Sequence, residues 1–380
     1  MDTPAPAPAP KAQSERLLSL DALRGFDLFW IVGGHAVVAA LAKLTEWDWV
    51  VAIEGSLKHV EWNGFSPYDL IFPLFLFLAG VSTPYALTRR LTEGARGEVI
   101  RKVVLRGLVL VLLGIVYNNG LQWKGLAEMR FGSVLARIGL AGMCAQLLFV
   151  VCFQDLRRLW FWFAGVLLGY WALLAFGHAP GFAPGDLTME GNFASYVDRL
   201  LLPGKLYRKI HDPEGLLAIL PAIGNALLGI QAGLWLRRPE SETSGDRKVT
   251  GLVGAGVALL LAGWVWSLAF PLNKNLWTSS FVLWTGGWSA LLLALFYWVI
   301  DVRGWAQRFG AFFAVVGMNS IFIYMAGKFI DFGYTSKALF GGLAKALPLS
   351  AQPLVLAVGL FAVEWALLWL MKRQKWVLRV

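Results

Sequence analysis

Long apolar segments recur along almost the whole chain, and they decide what it can fold into. They lie near residues 22–43, 68–88, 103–118, 132–153, 159–177, 215–236, 250–270, 278–300, 309–330 and 351–371. Crossing about 30 Å of hydrocarbon at 1.5 Å per residue takes about 20 helical residues, the length at which these segments repeat. Only 15% of the 380 residues are charged and 57% are hydrophobic, far from the roughly 25% charge of soluble domains. The expected fold is an all-α polytopic membrane protein with about ten transmembrane helices embedded in the lipid bilayer.

The net charge of +10 does not point to nucleic acid, because the cations are dealt out between apolar segments instead of forming one basic face. Arg89, Arg90, Arg96, Arg101 and Lys102 fall in one connection, and Arg157 with Arg158, Arg237 with Arg238, and Arg303 with Arg308 in alternate later ones. The intervening connections carry only scattered cations such as Lys58, Lys124 and Lys274. An excess of Lys and Arg marks the cytoplasmic side, so both termini are expected there. The opening "MDTPAPAPAPKAQSER" reads as a disordered Pro/Ala tail over residues 1–18, with no signal peptide, followed by a single transmembrane domain over 19–380. The longest connection, about 178–214, is either a lid over a site or simply a long loop.

Polar groups at membrane depth are costly, about 3 kcal/mol for a charge at a helix centre, so those present mark either internal pairing or a site. Asp21, Arg24 and Asp27 recur every three residues on one helical face. They form an ion-pair cluster, or Arg24 with Arg106 meets a phosphorylated ligand from the cytoplasm. His35 sits among small residues in "VGGHAVV", and Arg137 needs a carboxylate or a ligand, with Asp69 as the expected partner. In "KHVEWNGFSPYD", Ser66, Pro67 and Asp69 read as N-cap, first and third residues of a helix, and His59 stands just before them at the non-cytoplasmic mouth. Asn225, Gln231, Asn319, Ser320 and Tyr324 interrupt apolar helices, either binding a ligand or bonding between helices. No HExxH, CxxC, P-loop or GxSxG pattern is present, and no metal is expected.

Taken in order, "RLLSLDALRGFDLFWI", "KHVEWNGFSPYDLIFPLFLFLAG", "RFGSVLARIGL", "DPEGLLAILPAIGNALLGIQAG", "NKNLWTSSFVLWTGGWSALLL" and "GMNSIFIYMAGKFI" resemble the heparan-α-glucosaminide N-acetyltransferase family of polytopic acetyltransferases. The resemblance implies an acyltransferase that takes acetyl from cytoplasmic acetyl-CoA and gives it to the amine of a glucosamine-type sugar on the far side. It makes His59 the active histidine and Asp69 its acidic partner, and puts His35 where the lysosomal enzyme has an asparagine. Asn63 and Arg137 become candidate oxyanion donors, Arg24 and Arg106 candidates for the ADP end of acetyl-CoA, and Asn225, Asn319 and Tyr324 candidates for its pantetheine arm. A bacterial inner membrane and a homodimer come with the same resemblance. A neutral imidazole with an ordinary pKa near 6.5 suits proton removal from an attacking amine near neutral pH, either in direct transfer or by way of an acetyl-histidine. The alternative is a transporter of N-acetylglucosamine or a related amino sugar, with the same polar groups lining a permeation path.

Overall fold

The computed structural model describes residues 17–378, so the expected Pro/Ala tail lies outside the described residues except for Leu17 and Leu18. Fourteen helical elements follow: α1 (Leu18–Thr45), α2 (Asp48–Ser56), α3 (Pro67–Thr92), α4 (Arg96–Asn119), α5 (Val134–Val151), α6 (Arg158–Phe176) and α7 (Phe193–Leu201), then α8 (Ile219–Leu236), α9 (Gly245–Ser267), α10 (Ser279–Val302), α11 (Gln307–Met318), α12 (Ser320–Phe329), α13 (Phe332–Lys345) and α14 (Gln352–Arg373). Among the described residues, 8 helices are long and apolar enough to cross a membrane, and α11 with α12, bent by 59° around Asn319, brings the number to 9. The remaining expected segment, 103–118, lies inside α4, a continuous helix of 24 residues whose first half carries Arg96, Glu98, Arg101, Lys102 and Arg106. The uncharged stretch after Arg106 is shorter than a bilayer crossing. The chain is a multi-pass, all-helical membrane protein.

Burial separates the helices into a centre and a rim. In α8, 72% of the apolar window is buried, against 17% in α9, which therefore faces outward. The inner helices meet backbone to backbone. A Cβ added at Gly80 of α3 would stand 2.1 Å from the Ala226 carbonyl oxygen of α8, and one at Gly229 would stand 2.0 Å from that of Phe77. Between helices in lipid, apolar burial supplies little drive, and close contact through small residues takes its place.

At one end of the bundle, four connections are stitched together. The Gly64 amide donates to Leu272 O at 2.8 Å, Asn273 Nδ2 to Asn63 Oδ1 at 3.0 Å, and Asn275 Nδ2 to Glu61 O at 3.1 Å. Trp62 Nε1 donates to Leu187 O at 2.8 Å, and Arg130 Nη2 to Asp212 Oδ1 at 2.7 Å. The segments around residues 60, 130, 190–214 and 273 thus form one structured face. The long 178–214 connection is folded into that face through α7.

Candidate functional site

The start of α3 builds the site. Ser66 is the N-cap and Pro67 the first helical residue, and the third residue, Asp69, closes a capping box, as the sequence pattern predicts. Its Oδ2 accepts from the Ser66 amide at 3.0 Å and from Ser66 Oγ at 3.1 Å, which pins the carboxylate in a fully buried position. That leaves Oδ1 free to face His59, whose Nδ1 lies 2.7 Å away. A carboxylate only accepts, so Nδ1 carries the proton and Nε2 is left as the bare nitrogen. The His59 side chain remains 44% exposed, open to an incoming molecule.

Lys274, from the connection between α9 and α10, completes the cluster. Its Nζ lies 3.4 Å from Asp69 Oδ1, 2.9 Å from His59 Nδ1 and 3.1 Å from Nε2. Nearly equal distances to both ring nitrogens put the ammonium midway between them, so it lies along the lone pair of neither. Burial pushes the lysine below its usual pKa range, while Asp69 and Glu214 pull it back. Tyr68 packs on the other residues of the site, its ring 4.7 Å from that of His59 and 5.9 Å from that of His35. Lys274, Tyr68 and Glu214 are not legible as site residues in the sequence. Lys274 reads there only as one of the scattered cations, although it sits in the "NKNLW" stretch.

Arg137 is not paired with Asp69. Its Nη2 donates to Pro213 O, and its guanidinium lies 4.6 Å over the Trp277 ring. It lines a small cavity with Lys274, Glu214, Trp277 and Phe72. Glu214 accepts from Arg130, which also holds Asp212 through Nε at 2.9 Å. Asn63 stands at the exposed rim, its carbonyl taken by Asn273.

A second small cavity shares Phe72, Val134 and Ile138 with the first, so the two adjoin. Asp27, Ser320 and Tyr324 are the polar residues of its otherwise apolar wall, and Asp27 Oδ2 has no hydrogen-bond partner. Three of the other polar residues expected to bind a ligand are engaged elsewhere, whereas Gln231 Nε2 is buried with no partner. Asn225 donates to Thr285 Oγ1 at 3.1 Å and accepts from Trp277 Nε1 at 2.9 Å, and Asn319 ties the α11–α12 break to Trp376 and Leu378. Arg24 donates to Ser82 Oγ at 3.0 Å and pairs with Asp21 at 3.5 Å. Arg106 lies exposed on α4, among exposed Leu105 and Leu108.

Fold and site together define a class: a polytopic helical membrane protein with a carboxylate-held histidine and a mostly buried lysine in the wall of adjoining cavities. Residues 16–262 match the family described as heparan-alpha-glucosaminide N-acetyltransferase, catalytic, and the chain belongs to that family. The heparan-alpha-glucosaminide N-acetyltransferases of Mus musculus and Homo sapiens are each 28% identical to it over 334 residues, covering 72% of this chain and 49% of theirs. The chain thus spans about half the length of the curated relatives it matches.

Proposed function

We propose that this protein is an acetyl-CoA-dependent N-acetyltransferase acting across the membrane, within a single transmembrane domain over residues 19–380. Acetyl-CoA enters from the cytoplasmic side, where both termini lie, and the acceptor is the amine of a glucosamine-type sugar on the opposite side of a bacterial inner membrane. The observation that carries the reading is the 2.7 Å bond between His59 Nδ1 and Asp69 Oδ1, which leaves Nε2 as a base on a half-exposed ring beside Lys274, itself in a cavity wall. Family membership supports the reaction class.

His59 takes the proton from the amine as its nitrogen attacks the acetyl carbonyl, and Asp69 fixes the imidazole and stabilises its cation. On this reading a narrow, extended donor follows the line of the two adjoining cavities, whose walls part to admit it. Tyr324 lines that path, whereas Asn225 and Asn319 support its walls. Arg24, near the cytoplasmic end of α1, is the better placed of the two arginines to receive a phosphate, since Arg106 faces outward. The test is direct. Purified protein given acetyl-CoA and glucosamine should release free CoA and form the N-acetyl sugar. Uptake of the sugar into proteoliposomes with no CoA released would instead favour a transporter.

A further inference from the structure

The cavity that Lys274 shares with Arg137 has these two cationic side chains in its wall and one carboxylate, Glu214. Arg130 donates to Glu214 and offsets its charge. The guanidinium of Arg137 donates to Pro213 O and lies over the Trp277 face, with its Nε left unpartnered. Lys274 differs, because its ammonium reaches the base itself, 3.1 Å from Nε2, while its ion pair with Asp69 at 3.4 Å fixes where it stands. In acyl transfer, the attacked carbon carries both the oxygen that gains charge and the nitrogen that loses a proton. A cation within one hydrogen-bond length of the base is therefore within reach of that oxygen.

On the acetyl-transfer reading above, we infer that Lys274 is the oxyanion-stabilising residue of the site. As the amine nitrogen bonds to the acetyl carbon, the carbonyl π pair moves onto oxygen, where the Lys274 ammonium meets it, and the amine proton passes to His59 Nε2. The C–S bond then breaks, the thiolate leaves with its electron pair, and the proton on Nε2 moves to sulfur. Amine and thioester become amide and thiol, with His59 and Lys274 returned unchanged. The lysine is also preorganised: it is mostly buried and already ion-paired, so it needs no reorientation at the moment charge develops.

The test uses full-length protein in detergent, with acetyl-CoA and glucosamine as substrates and wild type, His59→Ala, Lys274→Met and Lys274→Arg compared. Lys274→Met keeps the stem and removes the charge. It should lower kcat per folded molecule about 100- to 1,000-fold with both KM values within about threefold of wild type, a readout that loss of the Asp69 ion pair's stabilisation does not move. Lys274→Arg should recover part of the loss, and so should ethylammonium added to Lys274→Ala. Lys274→Met turning over within about threefold of wild type overturns the inference while leaving the His59 reading intact. A loss that sits wholly in KM overturns it too, since that describes binding and not transition-state charge. A wild-type protein that releases no CoA overturns the acetyl-transfer reading itself, a result distinct from either.

Discussion

Two histidines at the same end of the bundle make nearly the same hydrogen bond and stand in different surroundings. His59 Nδ1 lies 2.7 Å from a carboxylate oxygen, and His211 Nδ1 lies 2.8 Å from Ser195 Oγ. Asn192 Nδ2 donates to that hydroxyl at 2.8 Å, so the serine passes its own proton toward Nδ1, and the His211 proton sits on Nε2. There it has no acceptor, and the ring is 1% exposed and edge-to-face with Trp62 at 5.1 Å. His59 instead has a bare Nε2, an open side and a lysine across its ring. One strong bond is thus no mark of a site. The free nitrogen's access, and the charges gathered around it from separate elements, make the difference.

The comparison breaks most sharply with paired variants. His59→Gln should cut acetyl transfer by a factor of about 1,000 or more while leaving the unfolding midpoint nearly unchanged, because the ring is half exposed and only one bond is lost. CoA release and a thermal melt on the same preparation check both halves. The opposite pattern is expected beneath His211, at the cluster where Arg130 holds Asp212 and Glu214. Arg130→Met takes the guanidinium from buried Asp212 and half-buried Glu214, leaving Asp212 only its two backbone donors, and should cost about 3 kcal/mol in an SDS unfolding titration. The activity left per folded molecule should fall far less than in His59→Gln.

Much of this is legible in the sequence. Apolar length predicts most of the spans, and the Ser66, Pro67, Asp69 pattern predicts the helix start that places the carboxylate ten residues after His59. These are local signals, read within one or two helical turns. What the sequence hides has the opposite property. Lys274 reaches His59 from 215 positions away along the chain, and Arg130 reaches Asp212 from 82. Arg137 has the right depth for Asp69 but turns to Pro213, a carbonyl that no side-chain pattern announces. Asn225 and Asn319 stand out in the sequence as polar residues that need partners; which partners they find depends on the packing of α8 against α10 and on the break between α11 and α12.

The two histidines also differ in what pH should do to them. Burial holds His211 down to about 4 from an ordinary 6.5, so the fold prefers it neutral. That contribution is complete above pH 6.5 and is lost as the pH falls toward 4, about 3 kcal/mol at most. Nearby Asp198, which accepts from the Leu216 amide at 2.7 Å, works against it. Burial raises Asp198 from 3.8 to about 6, so its ionised form is a cost above pH 6 that disappears on acidification toward 4. The two trends oppose each other between pH 4 and 6, and the wild-type unfolding midpoint should vary little there. Asp198→Asn should uncover the histidine's slope, losing about 2–3 kcal/mol from pH 6.5 to 4, and His211→Gln should uncover the reverse. Parallel slopes in the two variants would show that neither group titrates with the fold.

The smallest expected effect is the most discriminating for Asp69, which serves as helix cap through one oxygen and as histidine partner through the other. Ser66→Ala removes the hydroxyl at 3.1 Å from Oδ2 and keeps the backbone donor at 3.0 Å. The cap loss should cost about 1 kcal/mol in the SDS titration. Oδ1 keeps its bond to His59 and its ion pair with Lys274, so transfer should fall less than about tenfold, whereas Asp69→Asn, which takes the charge from both partners, should fall much further. If Ser66→Ala loses as much rate as Asp69→Asn, the carboxylate is held in place mainly from the helix start. If it loses none, the histidine and lysine suffice to hold it, and the capping box serves α3 alone.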